Sequence, residues 1–565
     1  MKKIIILFLI YLIFNNQIIG SSPNPVFGEN GMVVSTSYQA SEAGIDILEQ
    51  GGNAIDAAVA VGFALAVTSS GNGNLGGGGF LIASFNDGRS ISLDHREKAP
   101  SKAGKNMFLN DSGNVVPGMS LYSRASSGVP GTVDGLIRIL KDYGSGKMSL
   151  TEVLAPAIKL AEKGFLLSHY EAMRFNTYKE FFEHNEAAKK IFIKKNGEFW
   201  KKGDRFKQID LAKTLKKIRK YGREGFYSGS VAELIVKEMK KGNGLISMDD
   251  LSNYESKYRE PIFGFYQEYE IVSMGPPSSG GALLVHMLNM LENYSLDSLG
   301  WNSSDYVHIL TEVERRAYAD RAEHMGDPDF WDVPLDMFKS KSYAKNRIRD
   351  IDVYKATASN LVSAGSPIGY ESPETTHYSV VDKWGNAVSV TTTINLNYGN
   401  GCIVDGAGFF LNNEMDDFSS KPGVPNAFGL VGNEANAIKP GKRPLSSMTP
   451  TIVLKQNKPY LVVGSPGGST IITTTLQTIL NVIDHKMDIK EAVCAARFHS
   501  QWLPDVIQIE PRALAKDVIN NLVSRGHTII PYRGGFIGQS NCIMITNEGI
   551  YGGGDCRGET SSIGY

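Results

Sequence analysis

No charge of one sign dominates this chain. Its 58 Lys and Arg stand against 59 Asp and Glu, a formal net charge of -1 over 565 residues. There is no basic field to draw nucleic acid, and no acidic bulk either. Cysteine is scarce, with four residues, Cys402, Cys494, Cys542 and Cys556. None stands in a Cys-x-x-Cys spacing or beside a histidine pair, so a zinc centre is not expected. We expect no other metal and no cofactor. No serine occupies the G-x-S-x-G elbow of a serine hydrolase. Long apolar runs are missing apart from Ile4 to Phe14, which follows Met1-Lys2-Lys3 and precedes a polar stretch, Asn15 to Ser22. That run is short against the roughly 20 residues of a membrane span. It reads as a secretory signal over residues 1-21, with an uncleaved anchor as the alternative, and implies a periplasmic or extracellular protein with no stable span once the signal is removed. Glycine is abundant, 60 residues with no fixed period, which points to tight turns and close backbone approaches.

Helical spacing from Tyr38 to Gln50 stops at Gly51-Gly52, and Asn53 is placed to cap a second, Ala-rich helix from Ala54 to Val67. Gly71 to Gly79 matches the dinucleotide pattern G-x-G-x-x-G, with Asp94 downstream. That fingerprint needs a strand before it and a helix after it. Here a helix precedes and a strand, Phe80 to Phe85, follows, so the glycines are read as a turn that lets backbone pass close to a neighbour. Helical patterns continue over Val133 to Tyr143, Leu150 to Lys163 and Leu211 to Met239. Gly264 to Met274 reads as a strand, Pro276 to Gly281 as a turn, and Ala282 to Glu292 and Tyr306 to Met325 as helices. Asp327 and Asp329 bracket a proline and are turn formers rather than a cation site. Cys542 and Cys556 flank a hairpin at Asn547-Glu548-Gly549; they pair there, or the thiols stay free and buried, and spacing leaves both open.

Ala356 to Glu374 is rich in Ser, Gly, Ala and Pro without apolar period, an exposed segment suited to chain cleavage. It ends at Glu374-Thr375-Thr376-His377-Tyr378-Ser379, which opens two short strands, Tyr378 to Asp382 and Ala387 to Thr393. A threonine hydroxyl is a poor nucleophile without a base. An α-amine, with a reference pKa of about 7.7 to 8.0, is such a base, and a chain that begins with threonine carries it beside its own hydroxyl. Cleavage before Thr375 creates that arrangement, and the Thr375 hydroxyl can perform the cut by attacking the Glu374 carbonyl.

The run from Thr375 to Asn386, Thr-Thr-His-Tyr-Ser-Val-Val-Asp-Lys-Trp-Gly-Asn, resembles the start of the small subunit of γ-glutamyltransferases, a family of N-terminal-nucleophile hydrolases. The resemblance extends over nearly the whole chain after residue 24 and includes Gly73-Asn-Leu-Gly-Gly-Gly-Gly-Phe80. It implies an α+β fold, a four-layer αββα sandwich, built jointly by a large subunit, residues 22-374, and a small subunit, 375-565, as a heterodimer from one precursor. It also implies attack by Thr375 on glutathione or other γ-glutamyl compounds, with transfer to water or to an amino acid or peptide.

The same resemblance assigns the site. Thr393, returned by the hairpin, faces Thr375, and Asn395 binds substrate from the same strand face. Arg96 takes the substrate α-carboxylate, for which a guanidinium fork is suited and a lysine is not. Ser446 and Ser447 share that carboxylate, while Glu414 and Asp417 take the α-ammonium. Gly467 and Gly468 form the oxyanion hole, where a missing Cβ lets backbone N-H groups approach. The segment Ser419 to Lys442 resembles a lid in which Phe428 stands where some bacterial members carry tyrosine. Two other readings remain: a related glutaryl or cephalosporin-type acylase, and an inactive, uncleaved secreted binding protein.

Overall fold

A computed structural model describes residues 23-73, 75-363, 375-421 and 434-565. The expected signal, the Glu374 side of the expected cleavage bond and Phe428 lie outside the described residues. The alternating run after Thr375 forms a hairpin, Thr376–Val381 with Ala387–Thr393. Its turn is closed by Asp382, whose Oδ1 accepts from the backbone N-H of Trp384 and Asn386 at 2.9 and 3.0 Å. Gly385 takes φ +83 there, a conformation that favours glycine.

This hairpin is the centre of a seven-stranded sheet in the order Ser561–Gly564, Met32–Ser35, Thr376–Val381, Ala387–Thr393, Gly78–Ser84, Ser90–Asp94 and Lys257–Arg259. A second seven-stranded sheet runs Val26–Gly28, Gly549–Gly554, Asn541–Thr546, Lys458–Val463, Thr451–Lys455, Tyr269–Ser273 and Ile262–Tyr266. Every pairing within the two sheets is antiparallel. Both sheets combine strands from before and after Thr375, so neither half of the chain owns a sheet.

Three apolar cores separate four layers. Met32, Phe80, Ile82, Val272, Ile452 and Ile543 are among the side chains packed between the sheets. Outside the first sheet lie Tyr38–Glu49, Ala54–Thr68, Thr132–Tyr143 and Leu150–Lys163, sharing one core with its outer face. Outside the second lie Gly280–Leu291, Ser304–His324 and Thr470–Ile483. This is the α+β four-layer sandwich that the sequence implies. The expected cap is present: the Asn53 side chain accepts from Ile55 and Asp56 N-H at 3.0 Å, and Asp56 accepts from Asn53 N-H at 2.9 Å.

Three expectations are corrected. Gly264 to Met274 is not one strand but parts of two, Ile262–Tyr266 and Tyr269–Ser273, folded over Gln267 at φ +52; both strands are apolar enough to read as continuous. The disulfide joins Cys494 to Cys556, not Cys542 to Cys556. Cys542 pairs in register with Gly553 and stays a buried thiol, as does Cys402, whereas Cys556 lies past the strand end. The segment from Ala356 is not simply exposed: Ser359 and Val362 are buried. Ser359 Oγ donates to Trp502 O at 2.6 Å and its N-H to Asp505 at 2.8 Å. Further along the same anchor, Glu312 accepts from Thr357 N-H at 2.9 Å. His308, which bonds His527 at 2.7 Å, contacts Asp352 O at 2.8 Å.

Candidate active site

The first site residue stands at the head of the central hairpin. Thr376 pairs with Thr392, and carrying that register back one residue sets Thr375 opposite Thr393, as the hairpin argument expects. Thr375 is 6% exposed. Its carbonyl accepts from the Asn72 side chain at 3.2 Å, which ties it to the glycine-rich turn. That turn is a close-approach device: a Cβ on Gly77 would come 2.0 Å from Thr393 O, and one on Gly76 as near to Phe410 O. Thr393 Oγ1 accepts from Asn395 N-H at 2.8 Å. Asn395 does not reach the site by strand alternation, because it lies past the strand at φ +72. A left-handed turn brings it round, and its side-chain amide donates to Asn413 O at 2.9 Å.

His377, two residues beyond Thr375, is no base for it. Burial pushes its imidazole down to about 3, and it is hydrogen-bonded to Thr391 at 2.9 Å and Ser379 at 3.2 Å within the sandwich.

The charged residues form one buried group. Arg96 donates from Nη1 to Glu414 and from Nη2 to Asp417; Glu97 lies 3.5 Å from Nη1. One guanidinium thus meets three carboxylates, and burial raises all three carboxyl groups against the pull of Arg96, Glu97 to about 7. Arg96 is held well protonated by the same neighbours against the cost of burial. The local chain positions it through Asp94, which accepts from Arg96 N-H at 3.0 Å, and Tyr254, which donates to Arg96 O at 2.8 Å.

Ser446 and Ser447 lie beside this group. Ser446 is fixed by backbone bonds to Pro277 O and from Ser279 N-H at 2.9 and 2.8 Å, so the Pro276 to Gly281 turn serves to seat the serine pair. Ser447 Oγ accepts from Arg321 at 3.2 Å. Gly467 and Gly468 follow the strand Lys458–Val463 at φ +141 and +59 and run into the buried helix Thr470–Ile483, whose N-terminal end favours negative charge.

Thr375, Thr393, Asn395, Arg96, Glu414, Asp417, Ser446, Ser447 and Gly468 line one pocket. Gly467 is adjacent to it in sequence but is not part of that lining. Asn436 and Ser419, from the described ends of the expected lid, also line it, and Ser419 N-H bonds Asn436 O at 3.0 Å. Arg321 is the charged lining residue that sequence reasoning missed. It sits in the last turn of Ser304–His324, where an arginine reads as an ordinary partner of the helix dipole. Asp327 and Asp329 act as structural acceptors, with Asp327 receiving the N-H groups of Arg443 and Asp329 at 2.8 and 3.1 Å.

Residues 40–565 match the family model described as Gamma-glutamyltranspeptidase. The glutathione hydrolase proenzyme of Escherichia coli K12 is 48% identical over 94% of this chain and 91% of its own. Among solved structures, cephalosporin acylase from Bacillus halodurans superposes with TM-score 0.85 at 26% identity, over 98% of both chains. A chain of Helicobacter pylori gamma-glutamyltranspeptidase, 47% identical with TM-score 0.58, is covered over 97% of its length by 61% of this one.

Proposed function

The chain belongs to the gamma-glutamyltranspeptidase family, and on that premise we propose that it is a glutathione hydrolase and γ-glutamyltransferase whose nucleophile is Thr375. The observation that carries this reading is the convergence of Thr375 with Arg96, Glu414, Asp417, Ser446, Ser447 and Gly468 on one pocket. The Thr375 hydroxyl attacks the Glu374 carbonyl, the acyl group moves from nitrogen to oxygen, and water hydrolyses the ester. The products are a large subunit, 22-374, and a small one, 375-565, that stay together because both sheets draw on both pieces. The proenzyme name of the Escherichia coli relative and the Helicobacter pylori chain that matches only 61% of this one support two pieces.

The freed amine then takes the proton of its own hydroxyl as Thr375 attacks the γ-carbonyl. Negative charge develops on the carbonyl oxygen, where N-H groups of Gly467 and Gly468 receive it. The C-N bond breaks, the Thr375 ammonium protonates the departing amine, and a γ-glutamyl ester remains for water, an amino acid or a peptide. Glu414 and Asp417 hold the α-ammonium of the substrate; Arg96, Ser446 and Ser447, with Arg321 behind them, hold its α-carboxylate. An acylase substrate without the α-amine would leave those buried carboxylates without a partner of opposite charge from the ligand, which disfavours that reading.

Export through residues 1-21 completes the proposal, and the Cys494–Cys556 disulfide supports an oxidising compartment. Among the described residues no helix is long and apolar enough to cross a membrane. The purified protein, incubated with a γ-glutamyl anilide with and without a dipeptide, is expected to release the aniline. N-terminal sequencing is expected to find a chain that starts at Thr375. A single full-length chain that releases nothing would establish the inactive binding protein instead.

A further inference from the structure

We infer that a basic outer lobe, residues 189–223, is a docking surface for an anionic lipid membrane, which the folded protein binds peripherally. These residues carry fourteen Lys and Arg against three Asp and Glu, which leaves 44 against 56 for the rest of the chain. The near-zero balance of the whole thus conceals a cationic region set against an anionic remainder, and the absence of a basic field read from that balance does not hold locally. Such a division turns a protein towards a negative surface.

Contacts among its elements make the region one surface. Trp200 Nε1 donates to Phe192 O at 2.6 Å, which folds the turn after Lys194 and Lys195 back onto the helix Glu186–Phe192, where Lys189 and Lys190 stand. Gly203 N-H bonds Leu167 O at 2.9 Å, and Arg205 pairs with Leu166 in a two-stranded ribbon. Arg205 and Lys207 both lie against Gly164: a Cβ there would fall 2.6 Å from Lys207 Cγ and 3.0 Å from Arg205 Cγ. Beyond the ribbon, Lys213, Lys216, Lys217 and Lys220 recur at helical spacing on Ile209–Tyr221, opposite the buried Leu211, Leu215 and Ile218. Lys216 bonds Glu162 at 2.5 Å, which ties this stripe to the chain before the ribbon. The local acids do not neutralise the lobe. Asp204 and Asp210 are taken by Lys194 and Lys213, while Lys189, Lys190, Lys195, Lys201, Lys202 and Lys207 are exposed and make no ion pair among the described residues.

Apolar side chains standing among these cations select a lipid surface over a soluble polyanion. Leu166, Phe199, Ile209 and Tyr221 are 51, 59, 49 and 57% exposed. The Lys179 ammonium stands 5.4 Å from the centroid of the Phe199 ring, and that of Lys220 stands 4.8 Å from the centroid of Tyr221, so ring and cation are presented together. A soluble polyanion engages the cations and leaves such side chains in water. At a bilayer, lysines meet the phosphate headgroups while rings and aliphatic chains enter the interface, and both gains add. The ligand class is therefore a bilayer that carries anionic phospholipid. Among the described residues no helix is long and apolar enough to cross it, so attachment through this lobe is peripheral and sensitive to salt.

The test is sedimentation of the purified protein with vesicles of phosphatidylcholine, alone or with phosphatidylglycerol as about a third of the lipid. Wild type is expected to bind the anionic vesicles about 100-fold more tightly than the neutral ones at low ionic strength, and to lose most of that preference in about 0.5 M salt. Lys189→Glu, Lys190→Glu, Lys201→Glu and Lys202→Glu combined should weaken binding by about 100-fold, with thermal unfolding as the check that the variant folds. Phe199→Ser with Ile209→Ser should weaken vesicle binding about tenfold and leave binding to heparin, a soluble polyanion, unchanged. Equal binding of wild type to the two kinds of vesicle, or a folded charge variant that binds as wild type does, overturns the assignment. Vesicle binding untouched by the Phe199 and Ile209 pair would give the surface to a polyanionic polymer and overturns it as well. Should the charge variant not fold, the wild-type comparison and the Phe199 and Ile209 pair decide by the same outcomes.

Discussion

Arg96 donates to the carboxylate of Asp417, 321 residues further along the chain. The same guanidinium donates to Glu414, so the residues proposed for the two ends of a zwitterionic substrate are joined to one another. The ion pairs orient all three side chains before any ligand contact, which is the preorganisation that binding and catalysis exploit. On the proposed function, substrate recognition exchanges charge partners within a formed cluster.

Arg96→Lys tests that cluster. A lysine ammonium is a single point charge without the planar fork that reaches two carboxylates from separate nitrogens and the Pro444 carbonyl from Nε at 3.4 Å. We expect kcat/KM for γ-glutamyl anilide to fall by roughly 100-fold, mostly through KM, or about 2.7 kcal/mol. Steady-state kinetics measures it; unchanged KM would remove Arg96 from substrate binding.

Thr375→Ala is expected to leave the chain uncut and to abolish turnover by several orders of magnitude, because nucleophile, cleavage agent and base are lost together. Denaturing electrophoresis reads the first and anilide release the second. A variant still cut at the same bond would refute the assignment.

Gly467→Ala should lower kcat by about 100- to 1000-fold, as expected for loss of one oxyanion donor, with KM little changed. At φ +141 a side chain is strained, and its Cβ would come 2.3 Å from Thr470 Oγ1, so the backbone must move its N-H. Normal kcat in a folded variant would show that this N-H plays no part.

Glu97 supplies a pH test. Burial raises its carboxyl to about 7 from 4.5, so the fold holds the proton more tightly than the unfolded chain does. Its contribution to stability is complete below about 4.5 and is lost as pH climbs through about 7. Thermal unfolding of Glu97→Gln across this window should show a flatter dependence on pH than wild type. An unchanged slope would assign the dependence to other groups.

The strands around Thr375, the capped helix after Asn53 and the need for glycine at Gly76 and Gly77 were legible in the sequence, since each depends on local geometry or on the bare absence of a Cβ. That Thr393 returns towards Thr375 was legible from the hairpin, but the register was not: Val381 pairs with Ala387, so the turn has five residues, 382-386, instead of the four left between the expected strands. Glu97 and Arg321 were not legible as members of the site. Both look like ordinary charges in charged surroundings until packing buries them.

By itself the sequence determined the hairpin that carries Thr375, the outer helices and the kind of chemistry a threonine beside an amine can do. Only the tertiary structure decided that Cys494 is the partner of Cys556, that a left-handed turn brings Asn395 to the site, and that Arg321 stands behind Ser447. The reason is physical: periodicity and capping act over a few residues, whereas these contacts join segments that meet only when two sheets and their helices close on each other.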